Sequence, residues 1–512
     1  MVKFGISLQT DKVAKWAEGY VDYDALKDTL SEMLHTGTIR EFNEDILYLA
    51  HSLATTDEVI RPPGAREGDF IRLVDAEIEK VNRWTKRIQA ELLAALQQIT
   101  RGHAAWVKAG TPAEGASGLL RQVEATEAEL QNFENFVNMN YLAFSKILKK
   151  HDKYSTCPLR MPYLMRIQAT TFVQDKMGGV VRQLSDLRAS FEGAEVKSGA
   201  EVFDAAQKGG ASFVRKTTKY WVQTKDVLKV KMFILKHRPV YKFTEGPNDA
   251  DLVTSIYFDN DNLELYQGRL KKFDGAIAFR IRWYGPESMM RKAFLERKTH
   301  REDWYGDGEA SAKERFPLPP DKVLSKKLRP SVRTHYMRTA FQRAGDATVR
   351  CSLDTELCMA LEKCNPHDWK RSGPLENRSQ VTQFPHAVLE VKLQLATGAS
   401  MPDWVADLLS SGCLREMPKF SKFVHGTAFL KRSAVRELPY WWSDEFMPLW
   451  ASARAPQNSI PFRMLSKDEH FACESIPTAD GTPVGAAGNS PPLNAVQRLL
   501  LAVCTCNTIP LR

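Results

Sequence analysis

Residues 277–300 alternate in a way that leaves few folds open. In IAFRIRWYG, Arg280 and Arg282 share one strand face while Phe279, Ile281 and Trp283 take the other, because successive side chains of a strand point to opposite sides. In AFLERKTH, Glu296, Lys298 and His300 fall together opposite Leu295. AVLEVKLQ sets Glu390 and Lys392 against Leu389, Val391 and Leu393. TVRCSLDTEL sets Arg350, Ser352, Asp354 and Glu356 against Val349, Cys351 and Leu353. One such strand describes a sheet with one wet face. Four of them point to an antiparallel sheet closed into a barrel, apolar faces outward under flanking helices and charged faces around a lumen.

Converging cations in a confined space cost roughly several kcal/mol each to desolvate unless something compensates them. Rows of Arg and Lys suit phosphate, which guanidinium grips bidentately and ammonium meets as a point charge. Glutamates among them suit a hard divalent ion that bridges phosphate oxygens. A basic tunnel for a polyphosphate chain with a metal position follows. Nucleic acid is the rival polyanion, but single-strand binders need stacking platforms beside the charges, and Phe279, Ile281 and Trp283 lie opposite Arg280 and Arg282. No Gly-rich phosphate loop is present either, so a nucleotide would be held by side chains.

A chain of 512 residues is too long for one ordinary core. Residues 1–155 carry helical periodicity, as in YVDYDALKDTLSEML, and predict a helical bundle; 156–199 reads as a helical linker. From 200 to 450 the pattern is β-branched and aromatic alternation, giving an α+β chain, and 451–512 reads as a mostly disordered tail. The net charge of +9 supports anionic partners. Eight scattered cysteines predict reduced, structural thiols, and no run approaches the ~18 apolar residues of a membrane helix.

RKTTKYWV, SIYFDN, LYQGRLKK, FRIRWYG, ERKTHREDW, YMRTAFQ, SLDTEL, VLEVKLQ and PKFSKFVHG together resemble the catalytic domain of the vacuolar transporter chaperone family, eukaryotic polyphosphate polymerases with a triphosphate-tunnel fold. The resemblance implies a tunnel lined by Lys219, Arg269, Arg280, Arg282, Lys298, Lys313, Arg338, Arg350, Lys392 and Lys422. Glu390 would be the metal ligand and Glu296 a second candidate. It implies transfer of the ATP γ-phosphate to a growing chain with Mn²⁺ or Mg²⁺. A tri- or polyphosphate hydrolase, or a non-catalytic phosphate-sensing accessory subunit, are the other readings.

SKILKKHDK places Lys146, Lys149, Lys150 and Lys153 on one helical face. With MVKFG, YVDYDALK and DAEIEKVNRW in order, residues 1–155 resemble an SPX domain. That resemblance adds Lys3, Tyr23 and Lys27 to the four lysines as a site for inositol polyphosphates and pyrophosphates. Family members that continue into a membrane bundle suggest membrane-embedded partner subunits, with this chain peripheral on the cytosolic face of a vacuole or acidocalcisome.

Overall fold

The computed structural model describes residues 2–35, 65–111, 113–154, 158–174, 177–191, 213–242, 246–287, 290, 292–300, 311–317, 328–362, 380–396 and 398–446. The tail expected from 451 lies outside them. In the helical half, α1 (Val2–Thr10) and α2 (Tyr23–His35) precede two long helices, α3 (Ala65–Lys108) and α4 (Ala113–Asp152). Apolar residues at spacings of three and four, such as Phe70, Val74, Ile78 and Val81 on α3, are buried and meet Phe133, Phe136, Phe144 and Ile147 of α4 in one core. Gly110, at φ 79°, makes the reversal between the two helices possible. Helices α5 (Arg160–Gln168), α6 (Thr171–Gln174) and α7 (Gly178–Phe191) follow.

The second half is an antiparallel sheet: β1 (Phe213–Gln223), β2 (Val240–Tyr241), β3 (Asp251–Asp259), β4 (Ile277–Tyr284), β5 (Phe294–His300), β6 (Ser311–Pro317), β7 (Arg329–Phe341), β8 (Val349–Leu361), β9 (Val381–Gln383), β10 (His386–Ala396) and β11 (Leu414–Glu416). Its order is β11-β1-β10-β8-β7-β3-β4-β5-β6, with β2 on β7 and β9 on β8. Helices α8 (Val227–Leu235), α9 (Glu264–Lys271), α10 (Asp403–Ser410) and α11 (Lys422–Leu430) decorate it.

The sheet curls. Lys219 on β1 and Lys298 on β5 stand six strands apart along the ladder, about 29 Å if the sheet were flat, yet their charges repel each other directly. The expected tunnel is thus present as a rolled sheet rather than a hydrogen-bonded closed ring: among the described residues no ladder joins β6 to β11 or β1.

Apolar faces point outward as the alternation predicts. Val349, Cys351, Leu353, Leu389, Val391 and Leu393 are buried in the same core as Phe144, Ile147 and Leu184 of the helical half. Ile256, Ile281 and Trp283 join a second core with Leu265 and Tyr266 of α9. The inner face departs from the pattern at one place. At Glu356, φ 55°, the β7–β8 register slips between His335 and Met337. Beyond that bulge Met359, paired with Thr334, faces inward, so Glu356 does not extend the row of Arg350, Ser352 and Asp354 as alternation had placed it. Helix α11 covers this apolar end, with Gly426 so close that an added Cβ would lie 2.9 Å from Val332 Cγ1 and 3.0 Å from Met359 Sδ.

Candidate functional site

Strand pairing alone aligns much of the lumen. Lys219 lies opposite Glu390, which lies opposite Ser352; Arg350 lies opposite Lys392, and Arg338 opposite Asp354. On the other side Arg280 lies opposite Glu296, and Lys298 opposite Lys313. The side chain of Lys313 is outside the described residues. Arg269 arrives from α9, whose first turn is pinned by buried Asp259 accepting from the backbone N–H groups of Leu265 and Tyr266, both at 2.9 Å. Lys422 arrives on α11, capped by Ser421 Oγ accepting from Val424 N–H at 3.3 Å.

The lumen divides into two electrostatic regions. In the first, cations are tied to carboxylates. Asp354 accepts from Arg338 Nε at 2.6 Å, Arg338 Nη2 at 2.7 Å and Lys422 Nζ at 2.5 Å. Burial alone would raise its carboxyl, but Arg338 and Lys422 hold it down to about 2. Glu296, 1% exposed, accepts from Arg280 Nε at 2.8 Å and Nη2 at 2.7 Å, with Arg282 Nη1 at 3.8 Å. Arg282 also donates to Ser255 Oγ and Tyr336 Oη, and Arg280 to Tyr257 Oη at 2.7 Å.

In the second region cations outnumber carboxylates. Lys219, Lys298 and Lys392 gather around Glu390, with Arg269 close to Lys298; the nearest ion-pair partner of Glu390 among the described residues is Lys392 at 3.9 Å. Burial opposes the Glu390 anion, yet Lys392, Lys219, Arg338 and Lys298 hold its carboxyl well below the usual range. Burial lowers Lys219, whose Nζ donates to the Phe420 carbonyl at 2.6 Å. Lys298 is open to lumen water but ringed by protein; that enclosure, with Lys219, Arg269 and Lys392 nearby, brings it down to about 7.

Glu296 offers a cation less than Glu390 does, because Arg280 already donates twice to its Oε2. Glu390 fits a hard cation better, as an ionised carboxylate in the lumen without a close hydrogen-bonded partner among the described residues. No group of three or more His, Cys, Asp or Glu side chains able to hold a metal ion occurs among the described residues. A hard divalent cation here would be held by Glu390 and would supply positive charge to a bound phosphate.

Alternation in SIYFDN could have marked Tyr257 as a lumen residue, and YMR could have marked Tyr336; neither was singled out. These are aromatics on the charged face, which β4 alone did not suggest. At 5% and 1% exposure, with Tyr257 stacked on Phe423 at 5.0 Å, they offer a base no open platform.

In the helical half, Val21 N–H donates to Asn140 Oδ1 on α4 and Asp22 N–H to Glu77 Oε2 on α3, fixing the start of α2 against both long helices. This brings Tyr23 against Phe4 at 5.3 Å, and Lys146 Nζ sits 4.9 Å from the centre of the same Phe4 ring. Lys27 Nζ is 2.8 Å from Asp24. Lys146, Lys149 and Lys153 are exposed and Lys150 half-buried, none with an acidic partner within 4 Å among the described residues. Lys3 is in α1, its side chain outside the described residues.

Residues 214–326 and 321–431 match the VTC domain family model. Vacuolar transporter chaperone complex subunit 4 of Schizosaccharomyces pombe is 33% identical, covering 96% of this chain and 72% of that protein. Subunit 2 of the same complex and organism is 24% identical, over 86% of this chain and 66% of that protein. SPX domain-containing protein 2 of Arabidopsis thaliana is 25% identical over 36% of this chain and 63% of that protein. Taken with a rolled antiparallel sheet whose cations face inward behind a helical half, these similarities show that the chain belongs to the vacuolar transporter chaperone family.

Proposed function

We propose that the chain synthesises inorganic polyphosphate by transferring the ATP γ-phosphate to the end of a growing chain inside the rolled sheet. The observation that carries this reading is the group Lys219, Lys298 and Lys392 around Glu390, with Arg269 beside Lys298, a cluster whose positive charge no second carboxylate among the described residues offsets. Phosphoryl transfer needs little covalent help and depends on positioning and on neutralising spread-out charge. Lys219 and Lys298, facing each other across the lumen, hold the transferred group between them. Arg280, Arg282, Arg338 and Lys422 grip neighbouring phosphates of the chain, and Glu390 holds the divalent ion. Mn²⁺ or Mg²⁺ bound there would draw charge from the phosphate oxygens. No protein nucleophile is required.

The basic face of the helical half binds inositol polyphosphates or pyrophosphates through Lys146, Lys149, Lys150 and Lys153, with Lys3, Tyr23 and Lys27. Binding favours the active arrangement of the two halves. Among the described residues no helix is long and apolar enough to cross a membrane. We place the chain on the cytosolic face of a vacuole or acidocalcisome, working with membrane-embedded partner subunits.

The test is purified protein with ATP and Mn²⁺, with and without an inositol pyrophosphate, beside Lys219→Ala and Glu390→Gln. ADP together with long phosphate chains is expected from wild type and neither from the variants. Orthophosphate without chains would mark a hydrolase, and no product under any condition a non-catalytic subunit. Either result overturns the reading.

A further inference from the structure

Asp354 has no part in the transfer as described, yet it is 1% exposed and accepts three hydrogen bonds from two tunnel cations on different elements. Lys422 sits in the first turn of α11, where the helix dipole disfavours a cation. Asp354 offsets that at 2.5 Å. Among the described residues these contacts leave donors over: Arg338 commits two of its five N–H groups and Lys422 one of its three. A phosphate drawn to those remaining donors is also repelled by the Asp354 charge hydrogen-bonded to the same two side chains.

We propose that Asp354 is a fixed internal counter-anion that weakens the grip of Arg338 and Lys422 on the phosphate chain so that the chain can advance. It is a positioning residue, acting only through those two side chains, and the inference rests on the polymerase reading above. A chain lengthened one phosphate at a time has to slip along its tunnel at every turnover, and sites along a conducting path must bind weakly enough to release. Glu296 stands in the same relation to Arg280. A carboxylate needed only to hold the fold together makes the opposite forecast, since its loss would loosen the cations and weaken binding.

The experiment measures tripolyphosphate binding by calorimetry and chain synthesis from ATP in wild type, Asp354→Asn and Glu296→Gln. Each variant is expected to bind tripolyphosphate about tenfold more tightly, from removal of one like charge at close range. Each should also show a lower kcat and an unchanged or lower KM for ATP. Equal or weaker binding in a folded variant overturns the inference while leaving the polymerase reading intact. Wild type that neither binds tripolyphosphate nor makes chains overturns that reading instead. Should neither carboxylate variant fold, Lys219→Ala must lose more tripolyphosphate affinity than Lys422→Ala, because Lys219 has no carboxylate hydrogen-bonded to it among the described residues and Lys422 does. Equal losses overturn the proposal.

Discussion

Lys298 gives the tunnel a pH dependence whose sign and size follow from its surroundings. Its ammonium is brought down to about 7, by burial first and then by repulsion from Lys219, with Glu390 pulling the other way. The free protein therefore holds Lys298 half charged at pH 7 and only about one part in a hundred charged at pH 9. A bound phosphate favours the ammonium, so binding takes up a proton. If only the charged form grips phosphate, apparent affinity falls with the competent fraction, about fiftyfold between pH 7 and pH 9. Stability moves in the opposite sense: over the same window the unfolded chain holds the proton that the folded ligand-free chain has released, so the Lys298 contribution to stability rises with pH. The assay is calorimetry of metal-free ATP binding at several pH values in buffers of differing ionisation enthalpy, for wild type and Lys298→Met. Subtracting the variant removes the ionisation of the ligand. An identical pH profile in the two proteins, or no proton uptake above pH 7, would refute the account.

Three further outcomes test packing and the helical half. Gly426→Ala should destabilise by about 1–3 kcal/mol, since its Cβ would collide with Val332 and Met359. Gly118→Ala, a helical position with nothing within 4 Å, should stabilise by about 0.5–1 kcal/mol; thermal melts of the two should shift in opposite directions. Arg188→Leu strands Glu127, 4% exposed and held by Arg188 at 2.9 Å, and should cost about 3–5 kcal/mol in denaturant unfolding. Because burial already raises the Glu127 carboxyl against the pull of Arg188, that loss should shrink as pH falls and the stranded group protonates. Lys149→Ala with Lys153→Ala, both exposed, should weaken inositol hexakisphosphate binding about tenfold without moving the melting temperature, as calorimetry and a thermal melt would show.

Which residues face the lumen was largely legible, because a strand has a strict period of two and one greasy face betrays the other. Arg280, Arg282, Glu390 and Lys392 were placed by that rule alone. The rule failed at Glu356, where a left-handed residue that is not glycine inserts a bulge without any mark in the sequence. It also could not show α11 packing on the inner face, since KFVHGTAFL reads as an ordinary apolar helix and only Gly426 hints at a close approach. Pairing was the least legible of all. Asp354 reaches Lys422 across 68 residues of chain, and nothing in either segment names the other. Residue type alone offers Glu296 as a metal ligand and says nothing of its pairing with Arg280 at 2.7 Å and its approach to Arg282 at 3.8 Å.

That distinction bears on why the lumen holds carboxylates at all. Among the described residues nine of the tunnel cations named above face three carboxylates, and a protein seeking only stability would neutralise or remove the surplus. The surplus is not spread evenly. Arg338 and Lys422 share Asp354, and Arg280 and Arg282 share Glu296, while Lys219, Lys298 and Lys392 have among the described residues only Glu390 between them, with Arg269 beside Lys298 and Arg350 opposite Lys392 on the neighbouring strand. Unrelieved repulsion is greatest there, and there an incoming anion gains most and the carboxylate is freest to meet a cation brought with it. A structural network would tend to pair every charge; a conduit for a polyanion needs one region that captures and another that holds loosely. The division of the lumen into an uncompensated group around Glu390 and a compensated group around Asp354 and Glu296 has the second form.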